Sequence, residues 1–161
     1  MPAPKVQLPE LVRIFATQDK ARLMLFLGAG ASALAGVPTA TDMIWMFKRD
    51  IYCSEIGISP EALKDLSIER NRHRLQEYFD SKRGFPPRGA DEEYSVYFEK
   101  AIPDPGYRRT FIRRILQPGR PTLGHECLAV LLAQGHCDWV WTTNFDDLVE
   151  RAERCKLQNG K

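Results

Sequence analysis

No stretch of this chain is apolar enough for long enough to span a bilayer. The opening MPAPKVQLPELVRIF also lacks the apolar run of a signal peptide, so a soluble, cytoplasmic protein is expected. Cysteines are few and unpaired in spacing. Cys53, Cys127, Cys137 and Cys155 never form a C-x-x-C, which argues against a zinc ribbon and gives no disulfide framework. Reduced thiols and no metal are the simpler expectation. Charge of one sign is missing too: a net +2 gives no global electrostatic case for a nucleic-acid or membrane partner. There is no internal repeat and no low-complexity tract. What is present is 161 residues, 43% hydrophobic and 27% charged, which suits one globular domain with a real core.

The chain begins with an amphipathic helical pattern over Pro9–Lys20, with Leu11, Val12, Phe15 and Ala16 at helical spacing. Arg22–Leu27 follows as a short apolar run that ends in glycine. Such a run reads as a strand buried on both faces, as in parallel sheets. Thr39–Tyr52 has a helical stripe of Ile44, Phe47 and Ile51. Helical pieces over Pro60–Leu66, Ile68–Phe79 and Asp91–Ala101, with a Gly/Pro-rich loop over Ser81–Gly89, make residues 53–103 a helical insertion. Its role is left open between a lid and an interface. A helix over Tyr107–Leu116 gathers Phe111, Ile112, Ile115 and Leu116 on one side, leaving Arg109, Arg113 and Arg114 on a solvated face. Pro121 and Thr122 open a helix through Gln134 with Leu123, Cys127, Val130 and Leu131 at the 3.6 period, closed by Gly135. Asp138–Thr143 is a second strand, and a last helix runs through Arg154.

Two motifs carry chemistry. Gly28-Ala29-Gly30-Ala31-Ser32-Ala33 fits G-x-G-x-x-A between a strand and a helical turn. Glycines there let backbone N–H groups approach a pyrophosphate, with the Ser32 hydroxyl as a further donor. The same glycines also suit a plain tight turn. No Gly-Lys-Ser/Thr follows, so this is not a P-loop, and no acidic residue closes a second strand about twenty positions on, which disfavours an ordinary dehydrogenase. The second motif, Thr142-Thr143-Asn144-Phe145-Asp146-Asp147, puts polar residues at the carboxyl end of a strand, where open α/β sheets bind ligands. Asn144 or Asp146 alone also suits a helix cap.

Taken in order, Gly28–Ser32, Gly36-Val37-Pro38, Pro121-x-x-x-His125-x-x-Leu128 and Thr142–Asp146 resemble the motif set of sirtuin-like proteins. The Thr-Thr-Asn-Phe-Asp form is closer to the divergent bacterial branch that includes defence-associated sirtuin domains. The resemblance covers both ends of the chain but not the middle. It implies a partial sirtuin-like NAD-binding domain over 1–161: α/β, an incomplete Rossmann-like parallel sheet with the helical insertion between the glycine loop and the second strand. Two strands fall short of the about six of a doubly wound sheet. The expectation is therefore either the N-terminal part of a longer protein or a short homologue, with an open sheet edge covered by self-association or by a partner protein or domain.

By resemblance, Gly28, Ala29, Gly30 and Ser32 hold the NAD pyrophosphate. Gly36 and Pro38 begin the loop over the nicotinamide end, Asn144 lies beside the nicotinamide ribose, Asp146 lies near the carboxamide, and Thr143 is a further cofactor-binding candidate. Asn144 and Asp146 are the catalytic candidates, and NAD is the implied substrate or ligand. The implied activity is hydrolysis of NAD to nicotinamide and ADP-ribose by an anti-phage defence effector. Departures from the family pattern are clear. No histidine follows Asn144, where the family's catalytic histidine stands; His125 matches a structural helix histidine, and neither His73 nor His136 stands in a catalytic pattern. The arginine of the deacetylase G-I-P-D-F-R segment and the zinc-binding cysteine pairs are absent as well. The alternatives are a non-catalytic NAD or ADP-ribose sensor or scaffold and, with less support, a protein deacylase.

Overall fold

A computed structural model describes residues 5–17 and 23–159. The order is α1 (Leu8–Thr17), β1 (Leu23–Leu27), a 3-10 turn (Ala29–Ala35), α2 (Ala40–Ile56), a second 3-10 turn (Pro60–Leu63), α3 (Glu69–Asp80), α4 (Glu93–Ala101), α5 (Pro105–Leu116), α6 (Leu123–Ala133), β2 (Cys137–Thr142) and α7 (Leu148–Asn159). The fold is mixed α/β, mostly helical, with a two-stranded sheet. The expected extension of the first helix to Lys20 and the Arg22 start of the first strand lie outside the described residues. The chain divides into two compact units, one made of residues 1–35 and 119–161, the other of residues 36–118.

The first unit holds the sheet. β1 and β2 pair in parallel, Met24 opposite Trp139, Leu25 opposite Val140, Phe26 opposite Trp141 and Leu27 opposite Thr142. A parallel pair needs a crossover connection, and every described element between these strands is helical. α6 and α7 pack on one another, and Leu128, Ala129, Leu148 and Ala152 are buried. The other face of the sheet is open. Met24, Phe26, Trp139 and Trp141 are 65%, 73%, 64% and 57% exposed, so β1 is not the strand buried on both faces that its apolar run suggests. An apolar run records side-chain chemistry, but only the number of covering layers decides how many faces are dry.

α6 is rotated from its expected orientation. Its expected apolar stripe began at Leu123 and Cys127, yet both are exposed, and the buried face carries His125, Leu128 and Ala129. The helix is apolar almost all round, so periodicity could not fix its rotation. The C-terminal stop was legible: Gly135 adopts φ 73°, and the His136 N–H bonds the Leu131 carbonyl at 2.9 Å.

The second unit is helical around one apolar core. α2 starts in a capping box: the Thr39 N–H donates to Asp42 Oδ2 at 2.9 Å, and the Asp42 N–H to Thr39 Oγ1 at 3.2 Å. Gly57 ends it in the left-handed region, φ 74°. Phe47 stacks on Phe98 with ring centroids 4.8 Å apart, and Phe79 meets Phe85 and Tyr97 at 4.7 and 5.1 Å. Pairs of this kind add about 0.5–1.5 kcal/mol beyond the area they bury. Phe111, Ile112 and Ile115 of α5 pack against this core, while Arg109, Arg113 and Arg114 are exposed, as their spacing predicted.

Inside the core sits Lys48, fully buried. Its Nζ donates to Glu93 Oε1 at 2.6 Å and Gln76 Oε1 at 2.8 Å, and lies over the rings of Trp45 and Tyr97. The Gly89 N–H donates to the other Glu93 oxygen at 2.7 Å. Tyr97 is also fully buried, and its hydroxyl has no hydrogen-bond partner. Burial, helped by Glu93 and Asp80, holds that phenol far above its ordinary range, so it stays protonated. A buried hydroxyl without a partner costs roughly 1–3 kcal/mol. Tyr97→Phe is therefore expected to raise stability by about 0.5–1 kcal/mol, read as a higher urea midpoint; a lower midpoint would show that the hydroxyl has a stabilising partner.

Candidate functional site

β1 delivers its last residue, Leu27, directly to Gly28, and the chain turns at once into the 3-10 helix over Ala29–Ala35. The Ala31 N–H bonds the Gly28 carbonyl at 2.9 Å and tightens that turn. Neither Gly28 nor Gly30 has a positive φ, and a Cβ at either position would meet nothing within 4 Å. Gly36, Gly57, Gly84, Gly89 and Gly135 all have positive φ, which accounts for glycine there. At 28 and 30 the backbone conformation does not require glycine and no neighbour crowds it. What glycine leaves there is open space over bare backbone.

The second motif arrives beside this loop because β2 is the parallel neighbour of β1. Pairing runs one residue past the strand, with the Thr143 N–H donating to the Leu27 carbonyl at 3.1 Å. The chain then turns: the Asn144 N–H donates to Thr142 Oγ1 at 2.9 Å. This aims the Asn144 side chain at the glycine loop. Its Nδ2 donates to the Gly28 carbonyl and to Ser32 Oγ, both at 3.1 Å. Asn144 thus ties together two motifs 116 residues apart.

A cavity of about 170 Å³ opens at this junction, walled by Leu27, Ser32, Thr142, Asn144 and the near side of α7. His125, Asp146, Glu150 and Glu153 also line it, so carboxylates outnumber the single histidine. A second, mostly apolar hollow of about 290 Å³ shares Leu27, Ala31 and His125 with it.

Gly28, Ser32, Asn144 and Asp146 come together. Ala29 and Gly30 lie on the same exposed loop, and Thr143 is exposed with its N–H used in strand pairing. Ser32 is buried, 2% exposed, with its oxygen turned to Asn144. That oxygen therefore anchors the Asn144 amide. Gly36 and Pro38 belong to the helical unit. Asp146 does what a strand-end carboxylate does by default: its Oδ1 accepts from the Leu148 N–H at the start of α7, at 3.3 Å. Asp147 faces Arg151 and Arg154.

His125 is buried, with Nδ1 accepting from the Thr122 N–H at 3.1 Å, which places its proton on Nε2 and gives it a helix-capping role. His73 is exposed beside Glu77. Glu150 and Glu153 were not singled out in the sequence, although their i, i+3 spacing on a helix that follows the strand-end motif was a readable signal. Among the described residues no three His, Cys, Asp or Glu side chains form a group that could hold a metal. Among the described residues, no helix is long and apolar enough to cross a membrane.

No protein-family model matches the chain, and no curated protein matches it. The site's geometry therefore stands as the basis for a functional reading.

Proposed function

We propose that this chain is a partial, Rossmann-like NAD-binding domain of sirtuin-like type, and that it serves hydrolysis of NAD to nicotinamide and ADP-ribose. One observation carries the reading: Asn144, at the carboxyl end of β2, is bonded to Gly28 and Ser32 of the glycine loop beside an open cavity. Strand ends of this kind are where α/β sheets take ligands.

The residues fit such a substrate in two respects. The uncovered backbone at Gly28 and Gly30 leaves room for phosphate oxygens to approach closely. The carboxylates of Asp146, Glu150 and Glu153 make the cavity unfavourable to phosphates and favourable to a cationic ring. The cavity is smaller than the roughly 300–1,000 Å³ of a whole small-molecule site, so it takes one end of the dinucleotide. Breaking the bond between ribose and nicotinamide develops positive charge on the sugar, and the neighbouring carboxylates stabilise it. Asn144 fixes the ribose, Ser32 positions Asn144, and Glu150 or Glu153 is the carboxylate available to take a proton from the attacking water. The second reading, a non-catalytic NAD or ADP-ribose sensor, is favoured by the use of His125 in a helix cap.

Gly30→Val separates ligand binding from folding. The position has open space and no positive φ, so the melting temperature is expected to stay within about 2 °C. NAD binding by calorimetry and nicotinamide release by chromatography are both expected to be lost. A wild-type chain that neither binds nor consumes NAD would sink the proposal, as would Gly30→Val retaining both. Binding without consumption, lost in the variant, would favour the sensor.

A further inference from the structure

We propose a second ligand site, on the helical unit, that takes a phosphomonoester. One face of α2 forms the floor of a hollow of about 270 Å³, with Asp42, Trp45, Met46 and Arg49 at i, i+3, i+4 and i+7. Lys64 and Arg72 come in from the segment after the second 3-10 turn and from α3. Three cationic side chains from three separate elements therefore meet one carboxylate, and Asp42 Oδ2 is already engaged by the Thr39 N–H and hydroxyl at 2.9 and 2.7 Å.

Arg72 is held in place before any ligand arrives. Its Nε donates to the Leu66 carbonyl, and its guanidinium lies over the Trp45 ring at 5.4 Å. A guanidinium fixed in this way presents its terminal N–H groups as a rigid fork, the geometry that grips an oxyanion through two parallel hydrogen bonds. Arg49 pairs with Asp50, and Lys64 with Glu61 across 3.4 Å, the second pair about three-quarters exposed at both ends. The exposed Lys64–Glu61 pair contributes little, so Lys64 is cheaply shared with a bound anion, while Arg49, only 17% exposed, stays oriented by Asp50 at the rim of the hollow. Met46 and Leu66 add apolar wall, which a bare inorganic ion would leave unused. The hollow is concave, and the chain's net charge of only +2 gives no broad field for a nucleic-acid backbone, so a small phosphorylated molecule is the occupant.

Trp45 supplies the readout, because the chain's other two tryptophans, Trp139 and Trp141, are exposed and replaceable by phenylalanine. In that background, titration with ribose 5-phosphate at low salt is expected to give a saturable change in Trp45 fluorescence. Inorganic phosphate is expected to bind at least about tenfold more weakly, for want of the apolar contacts. Arg72→Gln is expected to weaken ribose 5-phosphate binding at least about tenfold. Lys64→Glu, an exposed change with no bearing on folding, is expected to do the same. Gly30→Val is expected to leave this response untouched, so this site and the NAD site succeed or fail separately. The absence of a saturable response, an equal response in Lys64→Glu, or equal affinity for inorganic phosphate would overturn the proposal.

Discussion

Replacing Asn144 by alanine is expected to reduce nicotinamide release from NAD by at least about 100-fold, the scale of losing one positioned polar group at a reacting centre. The fold is expected to survive. Asn144→Ala removes two hydrogen bonds of the part-exposed kind and leaves the Ser32 oxygen buried without its donor. At about 0.5–1.5 kcal/mol per bond, the loss in stability is about 1–3 kcal/mol, within what a domain of ordinary stability of about 5–15 kcal/mol tolerates. Circular dichroism and a urea midpoint measured beside the chromatographic assay check that part. Ser32→Ala separates contact from positioning. It keeps the Asn144 amide but frees it from one anchor, so about a tenfold loss is expected. Equal losses in the two variants would assign both to loop collapse, and full activity in Asn144→Ala would remove Asn144 from the site.

The largest expected effect on stability lies in the other unit. Lys48→Met leaves the Glu93 carboxylate in the core without its cation, and Glu93→Ala leaves the ammonium without its anion. Breaking one side of a buried pair costs about 3–5 kcal/mol, because the remaining charge has lost its compensation but not its desolvation penalty. That is a large share of a domain's whole stability, and either variant is expected to unfold at a markedly lower urea concentration. Lys48→Met combined with Glu93→Leu is expected to recover most of the loss, since a buried pair replaced by well-packed apolar side chains is often neutral or better. A double variant no more stable than the worse single one would show that the Gly89 N–H and Gln76, which also bond this pair, matter more than the charges.

Most element positions could be read along the chain because their determinants are local. Thr39 with Asp42 starts α2; Asp104 with Pro105 starts α5 ahead of the expected Tyr107, and Asp104 accepts from the Tyr107 N–H at 2.9 Å. Gly135 stops α6. Each of these signals acts over about one helical turn. The site was partly legible for the same reason: a glycine loop after one strand and Asn144 after another are local motifs, and the rule that strand ends gather ligands supplied their relation.

Other features were not readable in sequence. Lys48 looks like any surface lysine in a helix, and nothing near it in sequence announces Gln76 or Glu93, which are 28 and 45 positions away. The i, i+3 spacing of Glu150 and Glu153 is visible in the sequence, but only packing puts α7 at the border of the cavity.

The sequence by itself determined which stretches are helical or extended and in what order, which turns favour glycine, and which residues are polar at strand ends. Periodicity, capping and backbone sterics act between neighbours in the chain, so order alone specifies them. Tertiary structure decided the rest: the rotation of α6, the open face of Met24, Phe26, Trp139 and Trp141, the buried Lys48, and the bond from Asn144 to Gly28. These depend on which distant segment arrives to exclude water or accept a proton, and that is a property of packing in three dimensions.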